Sequence, residues 1–542
     1  MKVFKLCNEY LLKYKYRLCL YFIICIVISF ISICSPYIMA GFIDNLIYHG
    51  NLKVIYGYCV LLVTLNIVKL FLCYLQAMLN TKLQMNAAYH LNKYAIFHVQ
   101  NVSVSYINNT EVAYLHQIIN GDANTLISFC LTVIQNIISF FVALVIPLII
   151  MCSIDIGLTI ILVVLLMIYT ITFSIVKKPL YKSAYNLSET KSHFAVKLLE
   201  QLSLLKYIKL NAVQKELSKR LDSQYEDVLK VTIHNQKINF SFVVLDTAAS
   251  TIAQIFLFCY GGLSILNKRF TVGKFTMFSS YFSMMMSSVK YFINLRKLYQ
   301  EVLVSYDRLT RILQYDEETN GEIVLKKIKQ IEIKNLYFSY GNIPIFERQN
   351  LKLEVGNLYC FYGKNGAGKT TMLNLLCGLY IDEYQGEILY NDINIKLLDM
   401  RTIRKNLMGI SEQEPNLLLG SIKFNLFFDD NAEYDGEYLE SLSRLLGLED
   451  YLSKLCDNIY SQINDNCNNI SGGEKQKLSI LRVLLKEPSV LILDEPTSAM
   501  DYESARRFMA YLDSIKKDKI IIIVTHDQEI KYSCDKIIDF SA

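Results

Sequence analysis

Residues 363–371 read Gly-Lys-Asn-Gly-Ala-Gly-Lys-Thr-Thr, and this glycine-rich stretch decides the class of fold. It follows an apolar run at 358–362 and precedes an amphipathic run at 372–376, which predicts a strand, a loop and a helix in succession. Glycines let the backbone of such a loop curl so that its N–H groups surround a phosphate at the start of the helix. The pattern therefore predicts a phosphate-binding loop in an α/β domain.

Side chains in and after this loop are of the types that nucleotide chemistry uses. Lys369 supplies a positive charge to the β- and γ-phosphates, and the hydroxyl of Thr370 is a ligand for Mg²⁺. Further on, the apolar residues 490–493 predict a buried strand that ends in Asp494 and Glu495. We expect Asp494 to hold the Mg²⁺ shell and Glu495 to polarise the attacking water. These residues therefore predict a nucleotide triphosphate site with Mg²⁺ as a cofactor.

Between these two segments lies Ile-Ser-Gly-Gly-Glu at 470–474, and with it the chain resembles ABC transporters, whose defining mark is this signature sequence. Other motifs of that family follow in its order. Tyr340 matches the aromatic residue that stacks on adenine, and Gln413 matches the Q-loop glutamine. Ser-Ala-Met-Asp at 498–501 resembles the D-loop, and His526 resembles the switch histidine. The resemblance implies a P-loop NTPase that hydrolyses ATP.

The predicted site residues fall into three groups. Those expected to act in hydrolysis are Glu495, His526 and Gln413. Those expected to ligate Mg²⁺ are Thr370, Gln413 and Asp494. Those expected to bind nucleotide, some of them across a dimer, are Tyr340, Gly363, Asn365, Gly366, Gly368, Lys369, Thr370, Thr371, Ser471, Gly472, Gly473 and Asp501.

The chain departs from the family pattern at three places. Glu474 stands where glutamine is commonest, and Pro496 stands where many exporters carry alanine. Residues 461–467, Ser-Gln-Ile-Asn-Asp-Asn-Cys, align only loosely with an exporter segment that carries a glutamate. Asp465 would take the place of that glutamate.

The rest of the chain is of a different kind, since apolar runs fill residues 18–298 and the hydrophobic fraction of the whole reaches 53%. A membrane-spanning helix needs about 20 apolar residues. The sequence predicts spans at 18–43, 54–79, 126–151, 154–176, 240–266 and 275–298. The apolar stretch that begins at Leu18 continues without a cleavage site, so we interpret it as a retained helix and not as a signal peptide.

The chain is thus predicted to have an all-α six-helix transmembrane domain followed by an α/β nucleotide-binding domain. The predicted boundaries are 1–298 for the membrane domain, 299–328 for a linker and 329–542 for the ATPase. An even number of spans and basic flanking residues put both termini and the ATPase in the cytoplasm. The Lys-, Asn-, Ile- and Tyr-rich composition is typical of a low-GC bacterium, and we expect a plasma-membrane protein.

Six spans ahead of one ATPase resemble the type I ABC exporter fold. Shorter segments agree with it: residues 36–44 are similar to the end of the first exporter helix, and residues 270–275 to the link before the sixth. The resemblance implies coupling helices near 103–116 and 205–216 that dock on the ATPases. It also implies pairing with a second half-transporter, either a second copy or a similar chain.

Charged and aromatic residues inside the spans are candidates for contact with cargo. Lys69, Asp246 and Lys290 are ionisable residues in apolar segments, where such residues are often functional. The residues Phe278, Tyr281, Phe282, Met285 and Met286 form a stripe at helical spacing. This stripe either lines an adaptable cavity or packs against neighbouring helices.

The composition of the chain indicates which kinds of partner and environment to expect. The formal net charge of +5 gives no reason to expect nucleic acid, and the basic residues flank apolar runs as they do next to a membrane. The 14 cysteines include no CxxC pair, so we interpret them as small hydrophobic residues in a reducing or lipid environment.

Three functions remain open from the sequence. The first is ATP-driven export of a peptide, such as a bacteriocin or modified peptide, because Asn-Gly-Asp-Ala at 120–123 resembles a segment of peptide exporters. No cysteine peptidase segment precedes the first span, so leader cleavage is expected elsewhere. The second function is export of a lipid or an amphiphilic drug. The third is a membrane-anchored regulatory ATPase, which the presence of Glu495 and His526 disfavours.

Overall fold

The computed structural model describes residues 2–108, 115, 117–364, 366–454, 458–463 and 470–540. These form two units, one of Met1–Val99 with Val112–Gln314 and one of Gln100–Glu111 with Tyr315–Ala542. Before residue 314 the described α-helices are α1 (Lys2–Leu12), α2 (Lys15–Asp44), α3 (Leu52–Asn101), α4 (Val104–Asn108), α5 (Ala123–Ile154), α6 (Ile156–Ser203), α7 (Leu205–Asn211), α8 (Gln214–Leu266) and α9 (Val272–Leu313).

Six long helices, α2, α3, α5, α6, α8 and α9, cover the six predicted spans in the described chain. Several are much longer than a bilayer needs, because α3, α6 and α8 continue through polar sequence beyond the predicted spans. In the described part of the chain, four helical segments are long and apolar enough to cross a membrane: Lys15–Tyr48, Leu52–Asn101, Ile118–Ile154 and Gln214–Leu266. Helix α6 contributes a shorter apolar stretch, Ile156–Ile168.

The predicted aromatic and methionine stripe forms part of the core of the first unit. All five of its side chains are buried, and they pack with apolar residues of α2, α5, α6 and α8. The hydroxyl of Tyr281 donates to the carbonyl oxygen of Ile33 at 2.9 Å, which joins α9 to α2. Of the two interpretations left open, the structure therefore supports helix packing.

Three charged residues in the predicted spans were candidates for contact with cargo. Lys69 and Lys290 are half-buried, and the side chain of Asp246 lies outside the described part of the structure. Their contact with cargo stays a prediction.

The end of α2 is bound to the start of α9 through one carboxylate. Asp44 accepts hydrogen bonds from the Thr271 hydroxyl at 2.6 Å and from the Gly273 N–H at 2.7 Å. A Cβ at Gly273 would lie 2.1 Å from the carbonyl oxygen of Ala40, so only glycine fits this approach. The two short segments that resemble the exporter pattern thus meet in space.

A second carboxylate joins α9 to the start of α5. Asp122 is buried and accepts from Arg308 Nε at 2.9 Å, from Arg308 Nη2 at 2.8 Å and from the Ser305 hydroxyl at 2.8 Å. This bidentate, charge-assisted geometry is the strong form of an ion pair. The Asn-Gly-Asp-Ala segment therefore has a structural task in this chain.

The segment predicted as a linker at 299–328 begins as a continuation of a long helix of the first unit. Helix α9 continues to Leu313, and the division between the units falls between Gln314 and Tyr315. The residues after 298 remain helical because Val302, Leu309 and Ile312 are buried at helical spacing.

The first segment predicted to form a coupling helix, 103–116, contains α4 in its described part, and α4 groups with the second unit. Val104 packs against the core of that unit, and the rings of Tyr106 and Tyr315 lie 4.0 Å apart between centroids. The N–H of Glu318 donates to the carbonyl oxygen of Asn101 at 2.8 Å. The second predicted coupling helix is present as α7, whose apolar side chains are largely exposed.

The second unit is an α/β domain with two main sheets. Its strands are β1 (Gln330–Tyr340), β2 (Ile343–Glu354), β3 (Asn357–Tyr362), β4 (Gln385–Tyr390), β5 (Ile393–Asn394), β6 (Met408–Ser411), β7 (Gly420–Ser421), β8 (Gln462–Ile463), β9 (Val490–Asp494), β10 (Ile520–Val524) and β11 (Lys536–Asp539). Its described α-helices are α10 (Lys369–Leu376), α11 (Met400–Asn406), α12 (Ile422–Phe427), α13 (Gly436–Leu445), α14 (Glu449–Lys454), α15 (Gly472–Leu485), α16 (Tyr502–Ile515) and α17 (Gln528–Tyr532).

One sheet is parallel, in the order β11-β3-β10-β9-β6, and the other is antiparallel, in the order β2-β1-β4-β5. Strand β10 is buried along its whole length, and β9 is buried up to its last residue. Continuous apolar runs of this kind are typical of parallel strands covered on both faces. The predicted α/β domain is confirmed.

We predict that Asp122→Asn destabilises the first unit, because it leaves the Arg308 guanidinium without its buried counter-charge. Removing one partner of a fully buried pair costs about 3–5 kcal/mol, and the cost here is smaller because the Arg308 side chain is 33% exposed. The melting temperature of the detergent-solubilised protein should fall clearly. Glu200→Gln is the matched control, because its partner Lys197 is exposed and a surface pair contributes less than about 1 kcal/mol. Equal melting temperatures for the two variants would contradict this account.

Candidate functional site

Four neighbouring strands of the parallel sheet end at the same edge, and each is followed by predicted site residues. The phosphate-binding loop follows β3, His526 follows β10, Glu495 follows β9 and Gln413 follows β6. Because the carboxyl ends of parallel strands share one edge, a ligand binds in the crevice outside them. The sheet thus gathers residues that are as many as 163 positions apart, from Gly363 to His526.

The loop after β3 has the backbone that a phosphate cradle needs. Gly366 and Gly368 have φ values of 81° and 91°, in the left-handed region that favours glycine. A Cβ at Gly368 would lie 2.9 Å from side-chain atoms of both Ile345 and Phe346. Helix α10 begins directly after it, so its free N–H groups face the loop.

Lys369 is the first residue of α10, and its side chain reaches back to this loop. Its side chain is buried, and its ammonium donates to the carbonyl oxygens of Gly363 at 2.7 Å and of Lys364 at 3.0 Å. Thr370 is exposed on the first turn of α10, whereas Thr371 is buried. Lys369 and Thr370, at the start of α10, are therefore the two side chains beside the loop that are best placed to bind phosphate and a metal ion.

The structure brings the three predicted hydrolytic residues together around Glu495. Gln413 Nε2 donates to Glu495 Oε2 at 2.7 Å, and His526 Nε2 lies 3.6 Å from Glu495 Oε1. Glu495 has a φ of 46°, an uncommon conformation for a side chain other than glycine. Such strain persists only where the surroundings impose it, and it clusters at functional sites.

Gln476, which the sequence analysis did not single out, holds this strained segment. It is buried on α15, and its Nε2 donates to the Glu495 carbonyl oxygen at 2.8 Å. Its Oε1 accepts from the Ser498 hydroxyl at 3.0 Å. The feature of the sequence that could have indicated this role is a polar residue among the buried positions of α15, two residues after the signature.

Asp494, the last residue of β9, is in an unusual electrostatic environment. Burial, followed by the charge of Glu495, raises the pKa of Asp494 to about 6, and the charges of Lys369 and His526 act in the opposite direction. Perturbed carboxylates of this kind are common at functional sites. A cation near Asp494 would offset both of the effects that raise its pKa.

Tyr340 stands at the end of β1 with an exposed ring. The ring packs edge-on against Tyr380, with the centroids 5.7 Å apart and the hydroxyl oxygens 3.3 Å apart. Tyr380 is buried and so fixes the orientation of Tyr340. An exposed ring held in this way is able to stack on a flat ligand.

The signature segment forms the start of α15 as a capping box. The Ser471 hydroxyl accepts from the Glu474 N–H at 3.3 Å, while the Glu474 carboxylate accepts from the Ser471 N–H and hydroxyl, both at 2.8 Å. The unusual glutamate at 474 therefore takes part in the capping of the helix. Ser471 is exposed, and a Cβ at Gly472 would meet nothing within 4 Å.

The D-loop segment lies beside the signature of the same chain. A Cβ at Gly473 would lie 3.2 Å from the Cβ of Ala499. Asp501 caps α16 by accepting from the Ser504 N–H at 2.7 Å, which lowers the pKa of its carboxyl. Two predicted positions, Asn365 and Asp465, lie outside the described residues.

The donor set at the sheet edge fits a hard divalent cation. Thr370 offers a hydroxyl oxygen, Asp494 a carboxylate and Gln413 an amide oxygen, and Mg²⁺ prefers oxygen ligands of these kinds. The described residues contain no group of three or more His, Cys, Asp or Glu side chains that could hold a metal alone. At phosphate sites Mg²⁺ is usually bound by a few protein ligands together with oxygens of the substrate phosphates.

Comparisons with known proteins agree with this geometry. Residues 18–289 match the family model described as the ABC transporter transmembrane region, and residues 346–498 match the model described as ABC transporter. The first match alone covers half of the chain. The chain therefore belongs to the ABC transporter family.

Comparison with a solved structure specifies the type of transporter fold. The chain is similar to the structure of a bacterial Atm1-family ABC exporter with ATP bound, with a TM-score of 0.85, 15% identity, and coverage of 97% of this chain and 94% of that one. It therefore has the fold of a type I ABC exporter.

Among curated proteins, the chain is 29% identical to the ATP-dependent lipid A-core flippase of Haemophilus influenzae (strain 86-028NP), over 57% of this chain and 54% of that protein. It is also 29% identical to the protein of the same name from Francisella novicida, over 49% of this chain and 45% of that protein. The chain thus spans about half the length of the curated relatives it matches.

We predict that Gly368→Ala weakens ATP binding by about tenfold or more, because the loop would lose its left-handed residue and meet two side chains. Equilibrium titration with a fluorescent ATP analogue measures the change. Gly436→Ala is the matched control, since a Cβ there meets nothing within 4 Å and Gly436 has no positive φ. If the two variants bound the analogue equally well, the cradle would be wrongly assigned.

Proposed function

We propose that this chain, paired with a second half-transporter, hydrolyses ATP to move an amphiphilic substrate out of the bacterial cytoplasm. The observation that carries the proposal is the cluster of Gln413, Glu495 and His526 at the sheet edge that also holds the phosphate-binding loop. A regulatory module that never hydrolyses ATP has no need of this arrangement, which disfavours the third function considered above.

Each residue of the cluster has a distinct role in this proposal. Glu495 polarises the attacking water, and Gln476 fixes the backbone that aims it. His526 stands beside the same carboxylate, where it is able to contact the γ-phosphate and orient the water. Gln413 donates to the same carboxylate through Nε2, and its amide oxygen would be a ligand of the metal.

The nucleotide and its metal would be held by the remaining residues of this edge. Tyr340 would stack on adenine, and the loop N–H groups with Lys369 would bind the phosphates. Thr370, Asp494 and Gln413 would hold Mg²⁺, which neutralises charge that develops on the phosphates during transfer.

A partner chain supplies the other half of each site in this proposal. Ser471 and Gly473 would close over the nucleotide of a second copy, and the exposure of Ser471 and of the neighbouring Gly472 leaves this segment open to such a partner. Helix α15 begins there, so its N–H groups and dipole favour a γ-phosphate. Since both halves of the site are present in this sequence, two identical copies would form two competent sites; a similar second chain would also fit.

Transport would follow from closure of the dimer on ATP. The closed dimer binds ATP better than the open one, so ATP shifts the population of membrane conformations. The loop that carries α4 is continuous with the membrane helix α3, which gives a covalent route for this coupling. In this proposal both termini and the ATPase are cytoplasmic.

The cargo we favour is an amphiphilic lipid. Two of the curated relatives bear the name of a lipid flippase, and extensive apolar surface is exposed on α3 and α8. A peptide is the second candidate, because residues 120–123 resemble a peptide-exporter segment. That resemblance has less weight now, since Asp122 pairs with Arg308 inside the fold.

We predict that Glu495→Gln retains ATP binding and lowers hydrolysis about 100-fold or more, the usual contribution of a positioned general base. The purified chain in lipid nanodiscs would be assayed for phosphate release and for nucleotide affinity. Glu503→Gln, an exposed carboxylate on the first turn of α16, is the matched control and should hydrolyse normally. Unchanged hydrolysis in Glu495→Gln would show that another group activates the water.

We further predict that lipid amphiphiles raise ATP hydrolysis in a saturable way, whereas peptides do not. ATPase activity in phosphatidylcholine nanodiscs would be titrated separately with lipids, lipophilic drugs and candidate peptides, and Glu495→Gln would control for contaminating ATPases. Saturable stimulation by peptides alone would contradict the lipid assignment and support the second candidate.

A further inference from the structure

A cavity of about 430 Å³ lies between α6 and α8 in the first unit. Its polar lining consists of Lys182, Ser183 and Asn186 from α6 with Lys230 and His234 from α8. Its volume lies within the range of small-ligand pockets, about 300–1,000 Å³. Nothing in the transport cycle proposed above uses it.

The charge of this cavity is positive. Lys182 and Lys230 contribute two ammonium groups from opposite walls, and His234 adds an imidazole. Lys230 has an acidic neighbour in Asp227, at a distance of 3.5 Å, and both side chains of that pair are more than 70% exposed. A pair so exposed and so long compensates little of the lysine charge.

The walls of the cavity are held together by a buried polar network. Asn235 and Ser183 are both buried, and Asn235 Nδ2 donates to the Ser183 hydroxyl at 3.2 Å across the two helices. Asn239 Nδ2 donates to Asn235 Oδ1 at 2.8 Å. This network fixes the spacing of α6 and α8 beside the cavity that the two lysines line.

The rest of the lining is apolar. Pro179, Val231 and Ile238 complete the cavity beside the polar groups. A site for a free, fully hydrated anion gains nothing from such side chains, whereas the glycerol and first methylenes of a lipid do. The lining therefore offers basic groups for a lipid phosphate and apolar side chains for the methylenes next to it.

The position of the cavity relative to the predicted spans agrees with the binding of a lipid headgroup. Lys182 lies about 9 Å along the helix beyond the predicted end of the fourth span at Val176, and His234 lies about 9 Å before the fifth span begins at Phe240. The polar layer of a bilayer begins at the end of the hydrocarbon, and long lysine side chains reach back toward it. Basic pockets between membrane helices on the cytoplasmic side are suited to anionic headgroups.

We propose that this cavity binds the phosphate headgroup of an anionic phospholipid from the cytoplasmic leaflet. Lys182 and Lys230 bind the phosphate oxygens, Asn186 and His234 donate hydrogen bonds, and the apolar residues contact the glycerol end of the chains. The membrane orientation in this proposal rests on the proposed function, but the headgroup chemistry does not. A charged helix face bathed in water, the simpler alternative, would not require a cavity with a buried polar framework.

The test is lipid binding to the full chain in neutral detergent, measured by native mass spectrometry. Dioleoyl phosphatidylglycerol should bind more tightly than dioleoyl phosphatidylcholine. The double variant Lys182→Gln/Lys230→Gln should lose phosphatidylglycerol affinity by about 25-fold, roughly fivefold for each lysine. Its phosphatidylcholine affinity should not change.

The matched control is Lys191→Gln/Lys237→Gln, which removes the same charge from exposed positions of the same two helices outside the cavity. An equal loss in both double variants would overturn the proposal in favour of general attraction to anionic lipid. Equal binding of the two lipids by the unaltered chain would also overturn it. Displacement of phosphatidylglycerol by millimolar inorganic phosphate would assign the site to the free anion instead.

Failure of this proposal is separable from failure of the proposed function. Glu495→Gln should bind phosphatidylglycerol as the unaltered chain does, and the Lys182→Gln/Lys230→Gln variant should retain ATP hydrolysis in phosphatidylcholine nanodiscs. Comparable elution of all variants on size exclusion would establish that each is folded.

Discussion

The nucleotide site depends on the parallel pairing of four buried strands. Val490–Asp494 and Ile520–Val524 pair residue for residue, and Ile520–Val524 pairs in the same way with Asn357–Phe361 on its other side. A shift of one residue in any of these strands would exchange its two faces and displace the loop that follows it. The distances of 2.7 Å and 3.6 Å around Glu495 are consequences of this register, since each partner stands just after its own strand.

Local motifs explain why much of this site could be predicted from the sequence. The loop at 363–371 determines its own conformation through its glycines, and the strand before Asp494 is recognisable from apolar residues alone. Gln476 could not be found in this way, because its task depends on how α15 packs beside the turn after β9. The same holds for Asp122 and Arg308, which are 186 positions apart and meet only in the folded bundle.

The membrane half shows a different limit of prediction. Hydropathy located six helices, but it could not tell where they end, because polar helical extensions carry no apolar signal. For this reason hydropathy did not show that α9 continues to Leu313, into the segment predicted as a linker. Hydropathy also left open whether the stripe around Tyr281 lined a cavity, and only the packing of α9 against α2 and α8 decided it. Conversely, the lysines of α6 and α8 looked like ordinary flanking charges until the fold placed two of them around one space.

The most direct test of the central claim is a cryo-electron microscopy structure of the Glu495→Gln chain with ATP and Mg²⁺ in lipid nanodiscs. The account predicts a dimer with two nucleotides, each bound by Lys369 of one copy and covered by Ser471 of the other. It also predicts Mg²⁺ coordinated by Thr370 and Gln413, with the amide that replaces the Glu495 carboxylate facing the γ-phosphate. Nucleotide bound within single copies, with Ser471 remote from any phosphate, would contradict the shared site and with it the proposed coupling of ATP to transport.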